Sequence, residues 1–320
     1  MNEKPIIYID GLNVFMRHFA ANPSKSLNGQ LCGGIIGFLG NIDHLARKFR
    51  PQKIVVAWEG GGSLRRRAID ANYKNGRRPV RLNRSQYYKE IPDTEENRNY
   101  QLKTLIEILY KTPVVQIYVN DCEADDVIGY LVKNRMKEQH AVIVSSDKDY
   151  YQLLSKNIIQ WSPGQKKMIT PEVVKEKFGV SVTNFCTARS IIGDKSDNID
   201  GVQGAGFKTL VKRFPELQSE EFMSVDDIIS LAKIRGEGSK IKVFDRISSS
   251  SDTIHRNWRL MHLDTINLSA THIEKISNIF NTSMFSRNKI GLMRLLIQEG
   301  LTSFDADSFF MALTASLEVK

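Results

Sequence analysis

The sequence is poor in the features that mark several large protein classes. It has three cysteines, Cys32, Cys122 and Cys186, widely spaced and without a CxxC pair. That argues against a thiolate metal centre and for a reducing compartment. No apolar stretch reaches the roughly 18 residues needed to cross a bilayer, so no membrane segment is expected. The opening Met1-Asn2-Glu3-Lys4-Pro5 has no secretory apolar run. The expected location is the cytoplasm. No internal repeat occurs.

What is present is ordinary in amount and unusual in arrangement. The 320 residues allow one large domain or two smaller ones. A formal net charge of +9 suits a polyanionic partner but says nothing about fold. The first half alternates β-rich runs with helical patterns. Candidate strands are Pro5–Asp10, Lys53–Trp58, Val114–Val119 and Ala141–Ser145, with a weaker one at Ile158–Trp161. Between them, Ile35, Leu39, Ile42, Leu45 and Phe49 share a helix face, as do Val127, Ile128, Leu131 and Val132. This alternation predicts an α/β fold with a mainly parallel sheet flanked by helices. After about residue 165 the strand signals fade. Thr170-Pro171 reads as an N-cap and first helical position, and helices follow to the end apart from a loop-like patch around Ser248–Ser251.

Acids follow the strand-like runs. Asp10 ends the first, Glu59 follows the second, and Asp121, Glu123, Asp125 and Asp126 follow the third. Asp147 and Asp149 follow the fourth, and Asp194 and Asp197 form a further group. Parallel strands would bring the four groups that follow strands to one edge, where open α/β sheets bind ligands; Asp194 and Asp197 follow a short helical pattern. For any single group, capping of the next helix explains the acid equally well, and Asp121 reads as ordinary loop. Together they would repel strongly unless cations compensate them. Oxygen ligands without His or Cys suit Mg²⁺ or Mn²⁺ and not Zn²⁺. Two such ions about 4 Å apart activate a water and stabilise the leaving oxygen of a phosphodiester.

Two further stretches suit nucleic acid. Leu64–Lys89 holds nine basic residues against one acid, Asp70, with Tyr73, Tyr87 and Tyr88 among them. Lysine and arginine can track phosphates, and tyrosine can stack on bases; a solvated face is the bland alternative. Gly201 to Leu210 is a glycine turn opening a helix, where Gly204, Gly206 and Lys208 could meet a phosphate. A plain helix–helix turn explains it as well.

In order along the chain, these pieces resemble the 5′-nuclease family. That family includes flap endonucleases, the 5′-nuclease domain of bacterial DNA polymerase I and the T-even phage ribonuclease H. The matching pieces are Ile9-Asp10-Gly11, Tyr73-Lys74 with Arg77, Glu123-Ala124-Asp125-Asp126-Val127, Ser146-Asp147-Lys148-Asp149, Gly193-Asp194 with Ser196-Asp197-Asn198, and Gly204-Ala205-Gly206. The phage ribonuclease H branch is the most similar, through Ser145-Ser146-Asp147, Gln160-Trp161-Ser162-Pro163 and the pattern Gly291-Leu292 to Gly300-Leu301.

The resemblance implies a metal-dependent 5′-nuclease with 5′-to-3′ exonuclease, flap endonuclease and RNA-primer-removing ribonuclease H activity in replication. It implies that Asp10, Glu59, Glu123, Asp125, Asp126, Asp147, Asp149, Asp194 and Asp197 hold two Mg²⁺ ions, with Mn²⁺ able to substitute. It places Lys74, Arg66 and Arg17 near the scissile phosphate. It assigns Tyr73, Arg77, Arg78, Arg81, Arg84, Gly204, Gly206 and Lys208 to nucleic-acid binding. The implied layout is an α/β nuclease core over residues 1–186, with an arch at about 64–99, then a helical region over 187–320. A helix–hairpin–helix element at 187–213 would grip duplex backbone, with K⁺ as its cation. The implied substrates are flap, forked or nicked DNA and RNA–DNA duplex. The implied protein partners are a single-strand-binding protein and a sliding clamp, and the expected state is a free-standing monomer. The family usually has Asp where this chain has Glu59, and residues 214–320 match weakly. A ribonuclease for structured RNA and a non-catalytic junction-binding protein are the rival readings.

Overall fold

Along the first two strands the side chains alternate, and both sets are buried. Ile7, Ile9, Ile54 and Val56 face one hydrophobic core, while Ile6, Tyr8, Val55 and Ala57 face another. A sheet covered on both faces is the setting in which parallel strands are stable. The computed structural model describes residues 4–75, 95–135, 139–282 and 288–316. Within them, the sheet comprises β1 (Ile6–Asp10), β2 (Lys53–Trp58), β3 (Val115–Tyr118), β4 (Ala141–Val144), β5 (Ile158–Ser162) and β6 (Lys167–Ile169). Their order is β3-β2-β1-β4-β5-β6; the first five are parallel and β6 is antiparallel to β5.

The chain winds outward from β1 to β2 and β3, then returns to place β4 on the other side of β1. The strand order therefore reverses between β1 and β4, and the crevice beyond their carboxyl ends is the place such sheets bind ligands. One face is covered by α1 (Gly11–Ala21), α2 (Gly33–Phe49) and α4 (Glu95–Leu109). The other is covered by α5 (Ala124–Arg135), with α12 (Ala270–Thr282) packed beside it. Between β2 and α4 lies the short α3 (Leu64–Ile69). Of the expected arch, α3, the turn to Asn75 and the beginning of α4 are described; Arg77, Arg78, Arg81, Arg84, Tyr87, Tyr88 and Lys89 lie outside the described residues.

Two local expectations fail. β6 was not foreseen, because a three-residue Lys167-Met168-Ile169 strand carries almost no periodic signal. It forms because a turn at 163–166, with Lys166 at φ 50°, folds it back on β5. The patch Ser248–Ser251 is not a loop. It is the junction of α10 (Lys242–Ser249) and α11 (Ser251–Met261), where the Ser248 and Ser249 hydroxyls donate to the carbonyls of Asp245 and Arg246 at 3.0 and 3.2 Å. Such bonds let serine stay in a helix. The expected helix at Thr170 is present: Thr170 caps α6 (Pro171–Phe178), with Pro171 in its first turn.

The helices after residue 187 do not share one core. A separate core is built by α7 (Phe185–Ile192), α8 (Phe207–Arg213), α9 (Val225–Gly236), α10 and α11. By contrast α13 (Lys289–Gln298) and α14 (Ala306–Ser316) return to the first core, packing on α4 and α2 and adding Leu292, Leu296, Phe309 and Leu313 to the cluster that holds Ile35, Leu39 and Ile42. Phe309 is 1% exposed. Phe309→Ala is accordingly expected to destabilise the fold by about 3–5 kcal/mol. Urea unfolding checks this; a loss under about 1 kcal/mol would make α14 peripheral to the core. The three cysteines are buried and free. No helix among the described residues is long and apolar enough to cross a membrane.

Candidate active site

Asp10 is the last residue of β1 and also caps α1, accepting from Asn13 N at 3.2 Å. The capping and ligand readings thus coexist in one carboxylate. The Ser145 hydroxyl and the Tyr150 phenol each donate to its other oxygen at 3.2 Å. Burial, then the charge of Asp147, pushes its pKa up to about 7. Glu59, directly after β2, is pushed up to about 8 by burial and then by Asp10, against the opposing pull of Lys74. These two acids, with Asp125 and Asp147, line a cavity of about 240 Å³ whose only cationic wall residue among the described residues is Lys74.

Asp147 and Asn13 also line a second cleft of about 430 Å³, together with Lys148, Arg189, Asp194 and Asp197. Asp147 therefore stands between two acidic clefts at the switch point of the sheet. Its loop is held by Gln160 in β5, whose side-chain amide donates to the carbonyls of Ser145 and Asp147 at 2.8 and 2.9 Å. Asp149 N in turn donates to the Asp147 carboxylate at 2.9 Å.

The three acids at the start of α5 have a protein cation. One Arg66 Nη atom lies 2.7 Å from Glu123, 3.0 Å from Asp125 and 2.9 Å from Asp126, and the other reaches Asp125 and Asp126. Its Nε donates to the Leu260 carbonyl at 2.8 Å, and the residue is 1% exposed. Burial would raise the Asp125 pKa, but Arg66 and then Lys74 hold it below the usual carboxylate value. Arg66 was expected at the scissile phosphate. In the structure it is enclosed among these three acids, whose burial at a helix start needs a cation beside them. Tyr73 is buried beside it. Its ring packs with Cys186, Ile199, Leu260 and Met261, and its hydroxyl donates to Glu123 at 3.1 Å, so it is not free to stack on a base.

Lys74 reaches Glu123 at 2.6 Å with its side chain still partly exposed to the cavity. Its backbone has φ 58°, and its N–H donates to the Asp197 carbonyl at 2.9 Å. The base of the basic segment is thereby pinned to the loop carrying Asp194 and Asp197. Arg17 is exposed on α1 and donates to the Gly164 carbonyl at 3.5 Å, lining neither cleft. Gly204, with φ 83°, Gly206 and Lys208 lie exposed around the start of α8.

Sequence reasoning missed Arg189. From α7 it pairs with Asp194 and, at 3.3 Å, with Asp149. Burial raises the Asp149 pKa to about 8, aided by Asp147 and opposed by Arg189. A basic residue five positions before Asp194 was the available signal, but its helix gave no hint that it faced inward. Gln160 and Asn13 were missed for the same reason.

The all-oxygen donor set fits hard divalent cations. Among the described residues no group of three or more Asp, Glu, His or Cys side chains is arranged to hold a metal ion as placed. Arg66 pairs with Glu123, Asp125 and Asp126, and Arg189 with Asp149 and Asp194. Asp10, Glu59, Asp125 and Asp147 are the candidates in the first cleft, and Asp147, Asp194 and Asp197 in the second, with Asp149 joined to Asp194 through Arg189.

Residues 5–179 match the family model described as 5′-3′ exonuclease, N-terminal resolvase-like domain. A 5′-3′ exonuclease of Buchnera aphidicola is 30% identical over 225 residues, covering 68% of this chain and 74% of its own. One from Aquifex aeolicus is 31% identical over 220 residues, covering 68% and 71%. The bacteriophage T5 flap endonuclease, solved with DNA and metal ions, shares the fold at TM-score 0.69 and 23% identity, over 87% of this chain and 98% of that one. The chain belongs to the 5′-3′ exonuclease family of phosphodiester-cleaving hydrolases.

Proposed function

We propose that the chain is a divalent-metal-dependent 5′-nuclease that removes 5′ flaps and primer ends from branched DNA and RNA–DNA duplex during replication. The observation that carries this reading is the pair of acidic clefts sharing Asp147, the first lined by four carboxylates and Lys74. When bound, two Mg²⁺ ions supply an activated water and charge stabilisation at the leaving oxygen. Asp10, Glu59, Asp125 and Asp147 would hold one, and Asp147, Asp149, Asp194 and Asp197 the other. Lys74 places positive charge where the phosphate's charge develops. Arg66, with Tyr73, fixes Glu123, Asp125 and Asp126.

Residues 1–186 serve as the nuclease core in this reading and 187–320 as the helical region. The α7–α8 pair over 187–213 is the duplex-gripping hairpin, with Gly204, Gly206 and Lys208 toward phosphate and K⁺ as its cation. Arg17 and the basic residues Arg77, Arg78, Arg81 and Arg84 would contact the strand. Single-strand-binding protein and clamp are the expected partners, and the monomer is the working unit. Cleavage of a labelled 5′-flap DNA and of an RNA–DNA duplex, with Mg²⁺ and with EDTA, tests it. Cutting of both only with Mg²⁺ supports the reading; binding without cutting would leave a junction-binding protein, and cutting of structured RNA alone a ribonuclease.

Glu59 offers a finer test. Glu59→Asp is expected to keep substantial activity, and Glu59→Gln to fall about 10²-fold, because only the first preserves negative charge toward the cation. Single-turnover cutting rates in Mg²⁺ decide this. Equal rates for Gln and Glu would make Glu59 a turn residue.

A further inference from the structure

The opposite end of the sheet carries a cavity of the opposite sign. It measures about 530 Å³ and opens where β1, β4 and β5 begin and α2 ends. Its floor is apolar, formed by Pro5, Phe49, Val142 and Ile159, and its rim carries Lys4, Lys48, Arg50, His140 and Lys156. No described carboxylate lines it. A second cavity of about 520 Å³ shares Arg50 and runs between α2 and α14, past Ala312 and Ala315. Arg50 is a wall residue of both.

Basic residues at a helix C-terminus complement its dipole, and this accounts for Arg47 and Lys48 in the last turn of α2. It does not account for Lys4, His140 and Lys156, which arrive from three other segments. Nor does catalysis: β1 alone, five residues long, separates this rim from Asp10 by roughly 16 Å. A duplex seated on the acidic edge would have to wrap around the sheet to reach it. The cavity is concave and apolar-floored, whereas a nucleic-acid backbone needs only a charged track.

We propose that this cavity is a docking site for an acidic peptide tail of a partner protein, with an apolar side chain seated on Phe49 and Ile159 and carboxylates at Arg50 and Lys156. Charge complementarity selects the anion, and the apolar floor selects a peptide side chain to accompany it. None of these residues belongs to the cutting site.

Fluorescence anisotropy with a labelled peptide of four aspartates and a C-terminal phenylalanine tests this on the full chain at low salt. Saturable binding is expected. Arg50→Glu with Lys156→Glu should weaken it at least tenfold while flap cutting stays unchanged. Replacing the peptide's phenylalanine by serine should weaken binding about fivefold. Arg50→Gln with Lys156→Gln should fall between, and decides the matter if the charge reversal does not fold. Equal peptide affinity for parent and variants overturns the proposal. So does an equal loss of affinity for an oligothymidine, which would make the cavity a nucleic-acid track.

Discussion

Asp147→Asn is expected to leave duplex binding in place and to slow strand cutting on the order of 10³-fold, about 4 kcal/mol of transition-state stabilisation. The site makes this the cleanest of the acidic substitutions. Asp147 lines both clefts, so its charge would bear on a cation bound in either. Its carboxylate accepts the Asp149 N–H at 2.9 Å, and an asparagine oxygen can accept the same bond. The loop therefore keeps its shape while one negative charge is removed. Removing it also relieves repulsion of an incoming phosphate, so affinity should hold or rise. Single-turnover cutting of a 5′-flap DNA, beside binding measured in Ca²⁺, separates the two effects. Cutting within tenfold of the parent would remove Asp147 from the ligand set.

Arg66→Gln is expected to cost about 3–5 kcal/mol of stability in EDTA, since it strands buried acids without their cation. Glu123, Asp125 and Asp126 all lie within 3.0 Å of one guanidinium nitrogen. Glutamine offers one amide in place of that charge. Mg²⁺ should restore part of the loss, because an ion that binds only the native state stabilises it by mass action. Urea unfolding with EDTA and with Mg²⁺ measures both quantities. Parental stability in EDTA would show that the acids do not depend on the guanidinium, and no gain with Mg²⁺ would separate them from the ion.

The parallel strands were legible because aliphatic and β-branched runs buried on both faces have few alternatives. Their terminal acids followed from topology, since parallel strands share one carboxyl edge. Burial within a charged run was not legible. Arg66 and Tyr73 belong to a stretch with nine basic residues that reads as one solvated surface, yet both are buried, Arg66 among the acids and Tyr73 among Cys186, Ile199, Leu260 and Met261. Only the position of α3 against α11 turns them inward. Arg189 and Gln160 act through side chains whose direction depends on tertiary packing, which periodicity does not encode. The return of α13 and α14 to the first core was invisible for the same reason: amphipathic helices state that they have a partner face but not which one.

That return has a consequence for how the chain acquires its structure. Arg47 in α2 donates to Ser308 across 261 positions of sequence, and Phe309 closes a core begun by Ile35 and Leu39. Loop-closure entropy must be met before such distant contacts repay it, so assembly is slow for a chain of this size. During synthesis the α2 surface stays uncovered until residues beyond 309 are available. An apolar surface left waiting in this way makes the nascent chain a client for chaperones and a candidate for aggregation at high expression.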